Sequence, residues 1–202
     1  MLNIGITSNL KEYYRGYMDF IDHYWLSYFE KKKINYCLIP NKKKLSVKIL
    51  NKIDLLIIPG GNDVSNFLKT SRMRNNIENN LINICLKKNI PILGICRGAQ
   101  LLNKNLGGKI QRVKNHMRTR HNVFFTKNNI FKKKYLNVNS FHKDGIKKSD
   151  LSKKLNMIAN DNDENVEMFI SKNKKIIGTM WHPEREKNTL LLDKLINYLN
   201  KK

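Results

Sequence analysis

The chain has 202 residues, of which 41% are hydrophobic and 27% charged; this is a globular composition, which excludes a disordered, collagen-like or coiled-coil chain. The 39 lysines and arginines outnumber the 16 acidic residues and give a formal net charge of +23. Such a charge favours nucleic acids, anionic membranes or polyanionic small molecules as partners, and the Lys- and Asn-rich vocabulary of an AT-rich coding sequence is the alternative explanation for it.

The three cysteines, Cys37, Cys85 and Cys96, are too few and too widely spaced for a disulfide framework or a CxxC metal knuckle. No window reaches the roughly 18 consecutive apolar residues of a membrane span, and the first residues do not have the pattern of a leader peptide. The expectation is therefore a cytoplasmic protein with no membrane segment, no metal and no cofactor.

Short apolar runs rich in β-branched residues alternate with amphipathic segments in the first half of the chain. The runs predict strands buried on both faces, and the amphipathic segments predict helices. The alternation predicts an α/β fold with a doubly wound, mostly parallel central sheet flanked by helices. The predicted strands are 2–7, 36–39, 53–58 and 90–95, and the predicted helices are 17–32 and 77–86.

The second half has a different pattern, because its strand candidates follow one another closely. Close spacing favours antiparallel pairing, so the sheet is expected to gain an antiparallel extension before a final helix over 190–199. No repeat or linker divides the chain, which predicts a single domain over 1–202. The strand candidates are 122–126, 134–138, 165–171 and 175–180.

One stretch carries the strongest chemical signal, an apolar strand followed at once by Gly94-Ile95-Cys96-Arg97-Gly98 and a helical pattern. A nucleophile on a sharp strand-to-helix turn needs small residues two positions before and after it, because the backbone is crowded there. Gly94 and Gly98 meet that need. A cysteine at the helix N-terminus is also favoured as the thiolate, so Cys96 is the predicted nucleophile, whereas Cys37 and Cys85 are expected to be inert.

A thiolate that attacks a carbonyl needs a base, and the base needs a group that orients it. His182 and Glu184 follow the predicted strand 175–180 in the sequence Trp-His-Pro-Glu. Residues two apart in an extended segment lie on the same side, which would let the carboxylate hold the imidazole. His182 is therefore the predicted base and Glu184 its orienting partner.

A glycine turn follows the strand over 53–58, at Gly60-Gly61. Backbone N–H groups in such a turn can face a developing oxyanion. Together with the backbone N–H of Arg97, Gly60 and Gly61 are the predicted oxyanion hole.

These motifs together resemble the class I glutamine amidotransferase-like family, and within it the gamma-glutamyl hydrolase branch. The resemblance covers nearly the whole chain and depends on PGGND at 59–63, GICRGAQLLN at 94–103, VNSFH at 138–142 and MWHPE at 180–184. It implies a cofactor-free hydrolase in which Cys96 forms a gamma-glutamyl thioester. It also implies that Gln100 and the segment Asn139, Ser140, Phe141 and His142 bind the glutamyl group.

One departure bears on the substrate, because Lys143 stands where the branch commonly has a neutral amide. In its motifs the chain most resembles hydrolases of gamma-glutamyl-gamma-aminobutyrate, but its small size, positive charge and altered loop look more like a hydrolase of gamma-glutamyl-CDP-amidate in capsular phosphoramidate synthesis. A diphosphate leaving group would suit a cationic site, so the nucleotide-linked substrate is the favoured expectation. Arginines bind phosphate in a bidentate way. Some of the cations near the predicted strand ends are expected to meet phosphate: Arg72, Arg74, Arg97, Arg118, Arg120 and Lys143.

Two further hypotheses compete with a free-standing hydrolase. A glutaminase subunit that supplies ammonia to a separate synthetase would use the same three residues, but the CRGAQ turn favours it less and a synthetase partner is not the main expectation. A nucleic-acid-binding protein would use the positive charge. Its basic runs lack the interleaved aromatic residues of single-strand binders, so no specific nucleic acid is expected.

Overall fold

A computed structural model describes residues 2–64, 68–127 and 129–201. Its centre is a nine-stranded sheet in the order β4-β1-β5-β6-β13-β12-β11-β8-β9. The five strands from β4 to β13 are mutually parallel, and each later neighbour pairs antiparallel. The parallel strands are β1 (Asn3–Thr7), β4 (Asn35–Ile39), β5 (Leu55–Ile58), β6 (Ile92–Ile95) and β13 (Ile176–Thr179).

The antiparallel extension comes from the second half of the chain, as the sequence predicts. Two short strands, β7 (Gln111–Arg112) and β10 (Asp144–Gly145), pair with each other beside the sheet. The main strands of the extension are β8 (Met117–Phe125), β9 (Tyr135–Phe141), β11 (Leu155–Asn160) and β12 (Val166–Ser171).

Helices cover both faces of the parallel strands, which confirms the doubly wound α/β prediction. Strand β5 shows why its sequence is apolar without interruption: Leu55 and Ile57 pack under α1 and α5, whereas Leu56 and Ile58 pack under α2, α3 and α4. The helices are α1 (His23–Lys32), α2 (Lys43–Leu50), α3 (Lys69–Lys88), α4 (Arg97–Asn105) and α5 (Leu190–Leu199). No helix in these ranges is both long enough and apolar enough to cross a bilayer.

The helix predicted over 17–32 is wrong in its first turns. Residues Gly16–Phe20 form strand β3, which pairs with β2 (Asn9–Tyr13) in a hairpin outside the main sheet. Helix α1 starts only after Asp22, whose carboxylate accepts a hydrogen bond from the backbone N–H of Tyr24 at 3.1 Å. The helical spacing of the aromatic residues therefore places the start of the helix too early, because the N-cap at Asp22 sets where the helix begins.

The helix predicted over 77–86 is longer in the structure, since α3 begins at Lys69. Most residues of its first two turns are polar, so a search for hydrophobic periodicity does not detect these turns. Thr70, Ser71 and Arg74 are nevertheless buried there. The apolar pattern also predicts neither helix α2 nor strand β11.

Candidate active site

Cys96 stands between β6 and α4 with φ 51° and ψ −106°, a backbone conformation that is costly for a residue with a side chain. The two flanking glycines allow it. A Cβ on Gly98 would lie 1.9 Å from the carbonyl oxygen of Ile58, and one on Gly94 would lie 2.7 Å from the carbonyl carbon of Gly98. The sharp turn predicted from the GxCxG spacing is therefore present, and it requires both glycines.

His182 reaches the cysteine from the neighbouring strand. The N–H of Cys96 donates to the carbonyl of Thr179, the last residue of β13, at 2.7 Å, and three residues later the chain presents His182, which lines the same cavity as Cys96. His182 Nδ1 lies 2.7 Å from Glu184 Oε1. All three side chains are buried.

The conformation between His182 and Glu184 differs from the expectation. Residues Pro183–Arg185 form a turn of 3-10 helix rather than an extended segment. The turn brings the carboxylate back to the imidazole, so the expected contact forms by another route. Asn139 fixes the turn, because its side-chain amide donates to the carbonyl of His182 and accepts from the N–H of His182, both at 2.9 Å.

The electrostatics of His182 favour the imidazolium. Burial by itself lowers the pKa of a histidine, but here the Glu184 carboxylate and the Cys96 thiolate outweigh burial and raise the pKa of His182 to about 10. The imidazolium of His182 therefore gives Cys96 a cationic neighbour, and Glu184 holds the ring.

The glycine turn lies directly against this pair. A Cβ on Gly60 would be 2.6 Å from Cε1 of His182 and 3.5 Å from Cβ of Cys96. Gly61 has φ +96°, where a side chain is strained. Arg97 is the first residue of α4, so its backbone N–H lacks an acceptor within the helix. The geometry places the three predicted oxyanion residues around Cys96.

The side chains of Arg74 and Arg97 do not face the substrate. Both guanidinium groups are buried and paired with Glu78, a fully buried carboxylate on α3. Arg74 also donates to the carbonyls of Pro59 at 3.0 Å and Gly60 at 3.4 Å, which supports the glycine turn. Among the candidate phosphate-binding cations, Arg74 and Arg97 are therefore already paired inside the protein.

Sequence reasoning missed Glu78. Burial alone would raise the pKa of a carboxylic acid, but the two arginines and the hydroxyl of Thr7, which donates to Oε1 at 2.6 Å, together hold the pKa of Glu78 below its ordinary value. The spacing Arg74 to Glu78, one helical turn apart, was the available signal.

A cavity of about 280 Å³ opens above Cys96. Gln100 lines it, and its amide donates to the carbonyl of Asp144 at 2.7 Å, which ties the elbow helix to the loop after β9. The other lining residues are Gly61, Asn62, Asp63, Arg97, Met117, Phe141, His142, Lys143, Asp144, His182 and Arg185.

The structure separates the predicted substrate-binding residues by position. Phe141 and His142 line the cavity beside Gln100, and the Phe141 ring meets His182 edge to face at 5.6 Å between centroids. Asn139 and Ser140 are not among the lining residues. Asn139 holds the backbone of His182, and the buried hydroxyl of Ser140 donates to the carbonyl of His116 at 2.8 Å.

Known proteins resemble this chain in sequence and in fold. The Peptidase C26 family matches residues 3–184. The gamma-glutamyl-CDP-amidate hydrolase of Campylobacter jejuni subsp. jejuni serotype O:2 is 39% identical over 136 residues, which are 66% of this chain and 64% of that protein. A glutamine-hydrolysing GMP synthase subunit of Methanococcus aeolicus is 31% identical over 156 residues, which are 75% of this chain and 76% of that one.

A solved structure shares the fold. The glutamine amidotransferase of Thermotoga maritima superposes with a TM-score of 0.72 at 21% identity, over 97% of this chain and 81% of that one. The fold, the family match over nearly the whole chain and the curated relatives agree. The chain therefore belongs to the Peptidase C26 family, with the class I glutamine amidotransferase-like fold.

Proposed function

We propose that the chain hydrolyses a gamma-glutamyl amide through a thioester on Cys96. The observation that carries this proposal is the strained Cys96 turn in contact with His182, whose other ring nitrogen lies 2.7 Å from Glu184. A nucleophile, a base and an orienting carboxylate in that order are what acyl transfer requires.

The residues divide the reaction into two steps. The Cys96 thiolate attacks the gamma-carbonyl carbon, and the backbone N–H groups of Gly61 and Arg97 stabilise the oxyanion. The His182 imidazolium then donates its proton to the leaving nitrogen as the C–N bond breaks, which leaves a gamma-glutamyl thioester. In the second step His182 takes a proton from water, and the hydroxide releases glutamate and the free thiolate.

We further propose that the leaving group is nucleotide-linked, as the name of the Campylobacter relative suggests. A shallow basin of about 660 Å³ adjoins the Cys96 cavity and shares Phe141 and Arg185 with it. Arg118, Arg120 and Arg185 line this basin, together with Tyr24. Three guanidinium groups beside two aromatic rings suit a diphosphate and a base.

Two of these arginines are already engaged. Arg120 contacts Glu186 at 3.2 Å, and Arg185 contacts Asp22 at 2.8 Å while it lies over the ring of Phe141 at 5.1 Å. Arg118 is exposed. Arg118 is therefore the best single position at which to test phosphate recognition.

The experiment compares substrates and variants together. The isolated chain is given gamma-glutamyl-CDP-amidate, gamma-glutamyl-gamma-aminobutyrate and glutamine, and glutamate release is measured. Arg118→Ala is expected to lower kcat/KM for the nucleotide substrate by an amount that corresponds to about 1.5–3 kcal/mol, the usual value of a charged hydrogen bond. It should leave kcat/KM for the two other amides unchanged. Arg72→Ala, an exposed arginine on α3 outside the basin, is the matched control.

Equal loss on all three substrates would contradict the nucleotide proposal without affecting the thioester chemistry. The same panel tests the second candidate, a glutaminase subunit, which the similarity to the GMP synthase of Methanococcus aeolicus favours. Glutamine turnover that appears only with an added synthetase would support that candidate.

A further inference from the structure

Three histidines and a glutamate gather under the floor of the Cys96 cavity, outside the triad. His116 precedes β8, His121 lies on it, His142 follows β9, and Glu167 lies on β12. We propose that this histidine cluster, His116, His121, His142 and Glu167, binds a divalent transition-metal ion of the zinc class. The proposal does not depend on the hydrolase activity.

The cluster occupies a gap in the sheet. Strand β11 separates β12 from β8, but it pairs with β8 only at Phe124 and Phe125. Beyond these residues β8 has no neighbour on that side among the described pairings, and the side chain of Glu167 reaches across. The side chains of His116, His142 and Glu167 are 4%, 2% and 0% exposed.

The backbone fixes the tautomers of two histidines. His116 Nδ1 contacts the carbonyl of Lys114, and His142 Nδ1 lies 3.0 Å from the carbonyl of Asp144. A carbonyl oxygen can only accept, so Nδ1 carries the hydrogen in both rings and Nε2 of the neutral ring presents a lone pair. Backbone carbonyls orient metal-binding histidines in this manner.

Both lone pairs face a carboxylate. Oε1 of Glu167 lies 3.5 Å from Nε2 of His116 and 3.8 Å from Nε2 of His142, and Oε2 lies 3.5 Å from Nε2 of His121. None of these contacts meets hydrogen-bond geometry, so both buried oxygens of Glu167 lack a well-formed hydrogen bond among the described residues. A buried carboxylate in that state is costly, and a cation between the acceptors removes the cost.

The spacing suits such an ion. Ligands at about 2.0–2.1 Å from a tetrahedral zinc lie roughly 3.4 Å apart. The observed separations from Glu167 are 3.5–3.8 Å, and one ligand atom from each of His116, His142 and Glu167 lies within 4.8 Å of the other two. Two imidazoles with one carboxylate form a zinc-type donor set, and His121 lies beside the second oxygen of Glu167.

A proton is the competing explanation. His116 Nε2 lies 2.9 Å from Oδ2 of Asp161, so a doubly protonated His116 could form an ion pair with that residue. Burial lowers the pKa of His116, but hydrogen bonding to Asp161 and Glu167 raises it to about 10. The ion pair would still leave Nε2 of His142 and Oε1 of Glu167, 3.8 Å apart, without a proton between them. An ion satisfies both, and this difference makes the two explanations separable.

The test measures binding of zinc itself. The chain carrying Cys96→Ala, which removes the thiol as a rival ligand, is freed of metal with a chelator, titrated with Zn²⁺ against a chromophoric chelator, and assayed for metal content after gel filtration. We expect about one ion per chain. Glu167→Gln and His142→Asn should each weaken binding at least tenfold, and His23→Asn, an exposed histidine outside the cluster, should not.

A metal content near zero, or binding that survives both cluster variants, would overturn the proposal in favour of the protonated His116. If the cluster variants fail to fold, the chain with an intact histidine cluster is loaded with Co²⁺ instead of Zn²⁺, and the spectrum of the bound ion is measured. An intense visible spectrum of four-coordinate cobalt with nitrogen and oxygen neighbours in X-ray absorption supports the site. A six-coordinate oxygen shell refutes it.

Discussion

Cys96 differs from the other two cysteines in backbone and surroundings. It has a positive φ and contacts His182. Burial raises the pKa of Cys37, which is on β4. Burial also raises the pKa of Cys85, a buried residue of α3, to about 12. Both are therefore held as thiols, and thiols are poor nucleophiles.

The first prediction concerns this cysteine. Cys96→Ala is expected to lower turnover by roughly a thousandfold or more and to leave the circular dichroism spectrum unchanged, because the small side chain fits the same turn. An electrophilic glutamine analogue should add one label to the native chain, at Cys96, as read by peptide mass spectrometry. A label at Cys37 or Cys85 would contradict the assignment.

The second prediction concerns the proton on His182. The leaving nitrogen needs the imidazolium, so kcat/KM should fall on the alkaline side as pH rises through about 10, the raised pKa of His182. Glu184→Gln removes the carboxylate that raises this pKa, so the alkaline limb should move to lower pH. His182→Ala should approach the defect of Cys96→Ala. A limb that stays in place in Glu184→Gln would argue against the pairing.

At the scale of elements, the elbow depends on the contact between α4 and β5. Gly98→Ala would drive a methyl group to within 1.9 Å of the backbone carbonyl of Ile58, which belongs to a buried strand. We expect it to lower the free energy of unfolding by about 2–3 kcal/mol in urea titrations. Gly16→Ala, whose methyl would meet its nearest atom at 4.0 Å, should change it by less than about 1 kcal/mol.

The buried ion pairs between α3 and the elbow give a further prediction. Glu78→Gln leaves two buried guanidinium groups without their anion, which is expected to cost about 3–5 kcal/mol of unfolding free energy. Asp54→Asn is a suitable control, because this exposed carboxylate contacts only the N–H of Asn3 among the described hydrogen bonds. Similar effects of the two substitutions would show that Glu78 contributes little.

Hydrophobic patterning was sufficient to predict the parallel half of the fold, because each of its strands is buried on both faces. It failed where polar residues form the structure. The early turns of α3 are buried through Arg74 and Glu78, and the hairpin before α1 keeps Phe20 40% exposed. No apolar period marks either element.

The candidate site shows the same division. Cys96 and His182 could be singled out from the sequence because each lies in a short local motif: the glycines around Cys96, and the Trp-His-Pro-Glu segment that contains His182. The role of Glu78 and the contact of Asn139 with His182 could not, because Arg97 and His182 lie far away in sequence from these partners and meet them only in the folded protein. The histidine cluster combines residues on and beside three strands for the same reason.

At the scale of the whole molecule, the +23 charge is unevenly distributed. A cleft of about 970 Å³ lies near the N-terminal end of β13, whereas Cys96 is at the opposite end of the sheet. It holds no residue of the candidate triad, so its size does not mark it as the active site. Six lysines line it: Lys127, Lys132, Lys133, Lys134, Lys172 and Lys174.

We expect this cleft to attract polyanions through charge alone. Duplex DNA should bind weakly at about 50 mM salt and lose most of its affinity at about 200 mM, without sequence preference, because released counterions dominate such binding. Replacing Lys132 and Lys133 with Gln should weaken this binding in filter assays and leave gamma-glutamyl turnover unchanged. Sequence-selective binding at physiological salt would instead support a nucleic-acid function.

The two hydrogen bonds between the Asn139 side chain and the backbone of His182 limit how substrate preference can change in evolution. The nucleophile and the oxyanion turn follow parallel strands, whereas Arg118, Arg120 and Phe141 belong to the outer antiparallel strands. Asn139 joins the two, since it is on β9 and holds the backbone of the base by two hydrogen bonds. Neighbouring positions on β8 and β9 are free to acquire new leaving-group preferences, while any change at Asn139 would alter preference and proton transfer together.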